Sequence, residues 1–103
     1  MEPTIHVNGR TIHGEKVGFE FAWPIRETPG ILAELAAQGR IILGGDLLDH
    51  ERNHLGCNWY YNPSPKLPQS ENIRHSLDTA LEYIHKFIER NGTQYYVIIV
   101  TKP

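Results

Sequence analysis

The sequence predicts an α+β domain in which a mainly antiparallel sheet of about four to five strands carries two helices on one face. Three stretches point to it. From about Glu71 to Arg90 apolar residues recur at helical spacing. Residues 95–101, YYVIIVT, are β-branched and aromatic without alternation, the pattern of a strand covered on both faces inside a sheet. Residues 40–61, RIILGGDLLDHERNHLGCNWYY, set two apolar runs either side of a polar turn, which reads as a hairpin. With a strand and a short helix ahead of them, the order is strand, helix, strand, strand, helix, strand. A ferredoxin-like arrangement fits that order.

Each element has its own signal. Thr4–Val7 and Thr11–His13 flank Asn8-Gly9, a two-residue turn signal, so residues 1–16 read as either a peripheral hairpin or a loosely held tail. Val17, Phe19, Phe21 and Trp23 alternate with Gly18, Glu20 and Ala22, a half-buried strand that Pro24 stops. Thr28-Pro29 reads as an N-cap with proline at the first helical position, Ile31, Leu32, Leu35 and Ala36 keep helical spacing, and Gly39 ends the helix. In the hairpin, Gly44-Gly45 predicts a bulge or a close backbone approach. Asp49 to His54 form the turn, and the return strand has Leu55, Cys57, Trp59 and Tyr61 on its core face and Gly56, Asn58 and Tyr60 on the other. Pro63, Pro65 and Pro68 make 62–69 an irregular crossover. Ser70 is the expected cap of the long helix, whose stripe is Ile73, Leu77, Ala80, Leu81, Ile84, Phe87 and Ile88. Leu81 and Ile84 are expected against the sheet, with Asn91-Gly92 ending the helix and Val97 to Val100 forming an interior strand.

Composition bounds the function. The chain of 103 residues is read as one domain, 1–103, with 40% hydrophobic and 21% charged residues, which argues against disorder. A formal net charge of −2 gives no bulk reason to bind nucleic acid or an anionic membrane directly. The single cysteine, Cys57, cannot form an internal disulfide. The polar start Met1-Glu2-Pro3-Thr4 resembles no signal peptide, and Tyr95 to Val100 is too short to span a bilayer. A soluble, cytoplasmic protein is expected.

The polar residues define no reaction. His50, His54 and Cys57 have HxxxHxxC spacing, but a structural zinc needs four ligands and no second pair follows. The expected reading is a buried apolar Cys57 and two loop histidines. As a nucleophile Cys57 lacks an activating partner. Asp46, Asp49 and Glu51 could do acid–base work or hold a cation, though acids beside a turn are more often solvated or local caps. Gly44-Gly45 lacks the phosphate-loop pattern. His75 and His85 fall on the solvent side of the long helix. No catalytic set, metal site or cofactor is expected. The apolar alternates must face the core, so the hairpin's other side and tip form the richest polar surface. There Asp46, Asp49 and His50 could engage a partner by charge, and Asn58 and Tyr60 by hydrogen bonding and aromatic contact. The rival surface is the polar face of the long helix, through Asp78, Glu82 and Glu89. An enzyme using Asp46, Asp49 and His50, with or without a metal, and a homo-oligomeric structural module are the readings from other classes.

FAW at 21–23, ILGGDLL at 42–48, NWYY at 58–61, RHSLDTALEYI at 74–84 and YYVIIV at 95–100 together resemble immunity protein family 40. These are small bacterial proteins encoded beside toxins of polymorphic toxin and contact-dependent inhibition systems. The resemblance covers roughly residues 15 to 101, and ILGGD followed by NW after a short loop is its most specific part. Leu47-Leu48-Asp49 stands where an aromatic is expected after the aspartate, and the loop is unusually rich in histidine. The resemblance implies a cytoplasmic antidote that binds and blocks the C-terminal domain of one cognate toxin, a basic nuclease being one such target. It carries over no catalytic residues.

Overall fold

The computed structural model describes residues 3–103, and Met1 and Glu2, part of the polar start noted above, lie outside them. The chain runs through β1 (Thr4–Val7), β2 (Arg10–His13), β3 (Glu15–Val17), β4 (Glu20–Pro24), a 3-10 turn (Ile25–Glu27) and α1 (Thr28–Ala37). It continues through β5 (Ile41–Leu48), β6 (His54–Tyr60), α2 (Gln69–Asn91) and β7 (Tyr96–Lys102). The main sheet has five strands in the order β3-β4-β7-β5-β6, every neighbouring pair antiparallel. The chain order is the ferredoxin-like one, but the order across the sheet is not. A ferredoxin-like sheet inserts its third strand between the first two; here the last strand, β7, lies between β4 and β5, and β6 stays outside as the hairpin partner of β5.

Both helices pack on one face. Ile25, Leu32, Ile42, Leu47, Trp59, Ala80, Ile84 and Val97 form the main core, with Leu77, Leu81, Tyr83, Phe87 and Ile88 half-buried around it. Leu81 is therefore shallower than its place in the stripe implies, and Ile84 is the helix's deepest large side chain. β7 is interior by pairing, yet both faces are sealed only at Val97 and Ile98, and Val100 is 43% exposed. The N-terminal residues form the hairpin and not a loose tail. Asn8 and Gly9 both take positive φ (50° and 79°), as a two-residue turn between twisted strands requires. Ile5, Val7 and Ile12 bury themselves against Ile31 of α1.

Four local expectations are corrected. The run 17–23 is not one strand but two, because Gly18 (φ 64°) turns the chain at Gly18-Phe19 and leaves Phe19 fully exposed at the tip. Ala22, which alternates with the apolar set, lies on the sheet face away from the helices but is buried there with Leu48 and Ile98. Thr28 does not cap α1: its buried hydroxyl donates to Ile25 O at 2.6 Å across the 3-10 turn. Ser70 does not cap α2 either. That helix starts two residues earlier than expected, after Pro68, whose carbonyl accepts the Glu71 and Asn72 N–H groups. The end of α1 behaves as expected, with Gly39 at φ 83° and bonds Gly39 N to Ala36 O and Arg40 N to Leu35 O closing a Schellman motif.

Candidate partner-binding site

The hairpin β5–β6 is shaped by two register irregularities. Against β7, Ile42 pairs with Thr101 and Gly44 with Val100, so Leu43 is an extra, bulged residue. The bulge inverts the in–out phase, and Ile42 and Leu47, an odd number apart, both reach the helix-side core. Gly44 and Gly45 are needed for space. A Cβ on Gly44 would collide with the Trp59 carbonyl, and one on Gly45 would sit 2.6 Å from Ile98 O and run into the Trp59 ring. Trp59 uses that space to pack on Tyr83, ring centroids 5.2 Å apart. Its buried Nε1 has no hydrogen-bond partner among the described residues.

The second irregularity lies in β6. Asp46 pairs with Asn58 but Leu48 pairs with His54, so β6 carries extra residues around Gly56 (φ 76°). This overturns the expected burial of Cys57. Leu55 and Cys57 do turn toward the helix layer, but the bulged edge strand carries them beyond its cover, and both are exposed. They line a groove with Tyr83 and Phe87. Among the described residues no three His, Cys, Asp or Glu side chains form a group able to hold a metal ion, and His50, His54 and Cys57 do not converge.

The five candidate contact residues fall into two groups. Asp46 and Asn58 are cross-strand partners on the sheet face away from the helices, and Tyr60, opposite Gly44, shares that face. Asp46 is half-buried and Asn58 exposed, while Tyr60 is 73% exposed. With Val100 they surround a shallow depression of about 250 Å³. Asp46 makes no ion pair among the described residues.

Asp49 and His50 lie at the hairpin tip, roughly 10 Å further along the strand direction. The Asp49 carboxylate is already engaged: Oδ1 accepts the Asn53 N–H at 2.9 Å and the Glu51 N–H at 2.8 Å. These bonds, that from Asn53 foremost, hold its carboxyl below the usual carboxylate range. It shapes the loop. His50 is exposed, with Nε2 3.7 Å from the Glu51 carboxylate.

Two features of the site's frame had no sequence signal that was read. Arg52, at φ 68° in the tip, forms a bidentate pair with Glu15 of β3, and its guanidinium also donates to His50 O. It stacks 3.6 Å over the centre of the Tyr96 ring, beside buried Leu48 and Ile98. The hydrogen bond from Arg52 lowers the Glu15 carboxyl below its ordinary range. The tip is thus clamped over the lower half of the sheet face, and the half with Asp46, Asn58 and Tyr60 stays open. At the other end, buried Asn72 of α2 accepts from Tyr61 Oη (2.7 Å) and Ser64 N (2.9 Å) and donates to Ser64 O (2.9 Å), fastening the proline-rich crossover. Ser76, also buried, accepts the Ile42 N–H at 3.0 Å and ties α2 to β5.

On α2 the rival carboxylates are partly neutralised by their own helix. Glu82 accepts from Lys86 at 2.8 Å, and Asp78 lies 3.9 Å from Arg74. His75 and His85 are solvent-facing, as the helical spacing predicts.

Among the described residues no helix is long and apolar enough to cross a membrane. No curated protein and no solved structure matches the chain. The family model described as Immunity protein 40 matches residues 13–101, from the end of β2 to Thr101 in β7. That match takes in the whole five-stranded sheet and both helices, and the chain belongs to the Immunity protein 40 family.

Proposed function

We propose that this protein binds and neutralises one cognate toxin in the bacterial cytoplasm, and that it acts by occupation of the toxin and not by catalysis. Membership of the immunity family is the observation that carries the reading. The contact is centred on the open half-face of the sheet, where Asp46, free of any cation among the described residues, stands beside Asn58 and the projecting Tyr60. An unpaired carboxylate next to an exposed aromatic suits a basic partner. The charge speeds encounter and the ring supplies contact area at low entropy cost. The toxin's C-terminal domain, with a basic nuclease as the expected type, is the partner. Asp49 and His50 contribute at the margin, because the Asp49 oxygens are occupied by the loop and His50 lies away from the Asp46 row. That separation also weighs against an enzyme built on Asp46, Asp49 and His50.

Co-purification with the product of the adjacent toxin gene tests the reading, followed by affinity measurements on two paired variants. Asp46→Ala/Tyr60→Ala is expected to weaken binding at least tenfold with the fold intact, and Glu82→Ala/Glu89→Ala to leave it within a factor of about three. Loss only in the helix pair would move the contact to α2.

A further inference from the structure

The outer edge of β6 is the end of the sheet, and no strand pairs with it among the described residues. Natural edge strands are usually shortened, charged or covered to prevent such pairing. β6 has neither lysine nor proline; it is bulged around Gly56, and from Asn58 to Tyr60 it pairs regularly with β5. Tyr61 N donates inward to Leu43 O at 2.7 Å, so the alternation of an antiparallel ladder turns the N–H and C=O groups of Tyr60 and Asn58 outward. Immediately behind this edge lies the groove of about 640 Å³ between β6 and α2. Its walls are Leu55, Cys57, Tyr83 and Phe87, and its rim carries Lys86 and Arg90. Lys86 is already paired with Glu82 at 2.8 Å, while Arg90 has no ion-pair partner among the described residues.

We infer that β6 takes up an extended segment of the toxin as an added strand, whose groove-side residues are apolar and include a carboxylate that meets Lys86 and Arg90. The inference rests on the neutralisation reading above and specifies how the partner is held. An extended chain can replace water on backbone groups in an open row, and alternate side chains of that chain would fall into the groove. Charge complementarity selects the occupant. A second copy pairing through its own β6 would bring Leu55 and Cys57, neither of them acidic, to the same rim and leave Arg90 without a counter-charge from that strand. The added strand would also border the Asn58–Tyr60 side of the open face, so one partner could engage both surfaces.

The test uses the toxin domain encoded beside this gene as the probe. In hydrogen exchange, binding should protect the Asn58 and Tyr60 amides. Asn58→Pro, which removes an outward N–H at an edge where proline is tolerated, should lower affinity at least tenfold relative to Asn58→Ala, which keeps the N–H. Lys86→Glu/Arg90→Glu, at exposed helix positions and checked for an intact fold by circular dichroism, should lower it at least tenfold as well. If Asn58→Pro fails to fold, the charge-reversed pair and the exchange pattern decide. Tight toxin binding by the wild type with unprotected edge amides, or unchanged in the charge-reversed pair, overturns strand addition and leaves neutralisation standing. Absence of wild-type binding overturns both. Self-association that protects the same amides without toxin gives the edge to a second copy and likewise overturns the inference.

Discussion

Gly45 is where a single methyl group would do most damage. It has no unusual turn to make; it is small because the Trp59 ring and the Ile98 carbonyl occupy the space a side chain would need. Gly45→Ala is expected to destabilise the protein by about 1–3 kcal/mol, the range for overpacking a tight interior, measured in denaturant melts. The close approach was legible from two glycines inside an apolar run. That the neighbour would be Trp59 was not, because strand pairing is a long-range choice. Asp49 and Glu15 give a second residue-scale prediction. Both carboxyls are held below their ordinary values of 3.8 and 4.5 by native hydrogen bonds, from the Asn53 backbone and from Arg52 respectively. The stability they confer is therefore fully present above about pH 4.5, and it is lost as pH falls through their lowered native values. Melting temperatures taken from pH 7 to pH 2 should fall less steeply in Asp49→Asn and in Glu15→Gln than in the wild type. Equal slopes would show that the clamp at the hairpin tip does not hold in solution.

Among the elements, α2 is the most legible, since its stripe repeats over several turns and Asn91-Gly92 marks its end, although Ser70 is not its cap. Depth within the stripe was not readable: Ile84 is buried completely while Leu81, three residues away on the same face, is half-exposed. Ile84→Ala should accordingly cost about 2–5 kcal/mol, and Leu81→Ala closer to about 1 kcal/mol. Calorimetry or urea titration of the two variants separates them. Costs in the reverse order would mean that α2 is rotated about its axis. The β3–β4 hairpin was missed for a specific reason. Val17, Phe19, Phe21 and Trp23 keep period 2 straight across the turn, and only Gly18 betrays it. In β6 the same period placed Asn58 and Tyr60 on one face, but Gly56 alone hinted that Leu55 and Cys57 slip past the helix. The clamp of Arg52 on Glu15 and Tyr96 joins three distant segments, and no local pattern encodes it.

For the whole molecule, charge is modest, with a formal net of −2, so any electrostatic steering depends on where the acids lie and not on their sum. The association rate with a basic toxin should fall as salt rises from about 0.05 to 0.5 M, as the Debye length shrinks from roughly 14 to 4 Å, while the dissociation rate changes little. Stopped-flow mixing across that series measures it. A flat association rate would remove Asp46 from the encounter step.

The central place of β7 carries a consequence in time. Within the sheet, β4 and β5 share no neighbour except β7, which follows every other described element in the chain. A nascent chain that has not yet delivered Tyr96 to Lys102 holds its sheet as two unconnected pieces, with Val97 and Ile98 missing from both sides of the seam. At about 5–20 residues per second, synthesis supplies those residues after every other described strand and helix. On the neutralisation reading proposed above, protection waits for β7, and a chain stopped before Tyr96 should give neither a cooperative melt nor any rescue from the toxin.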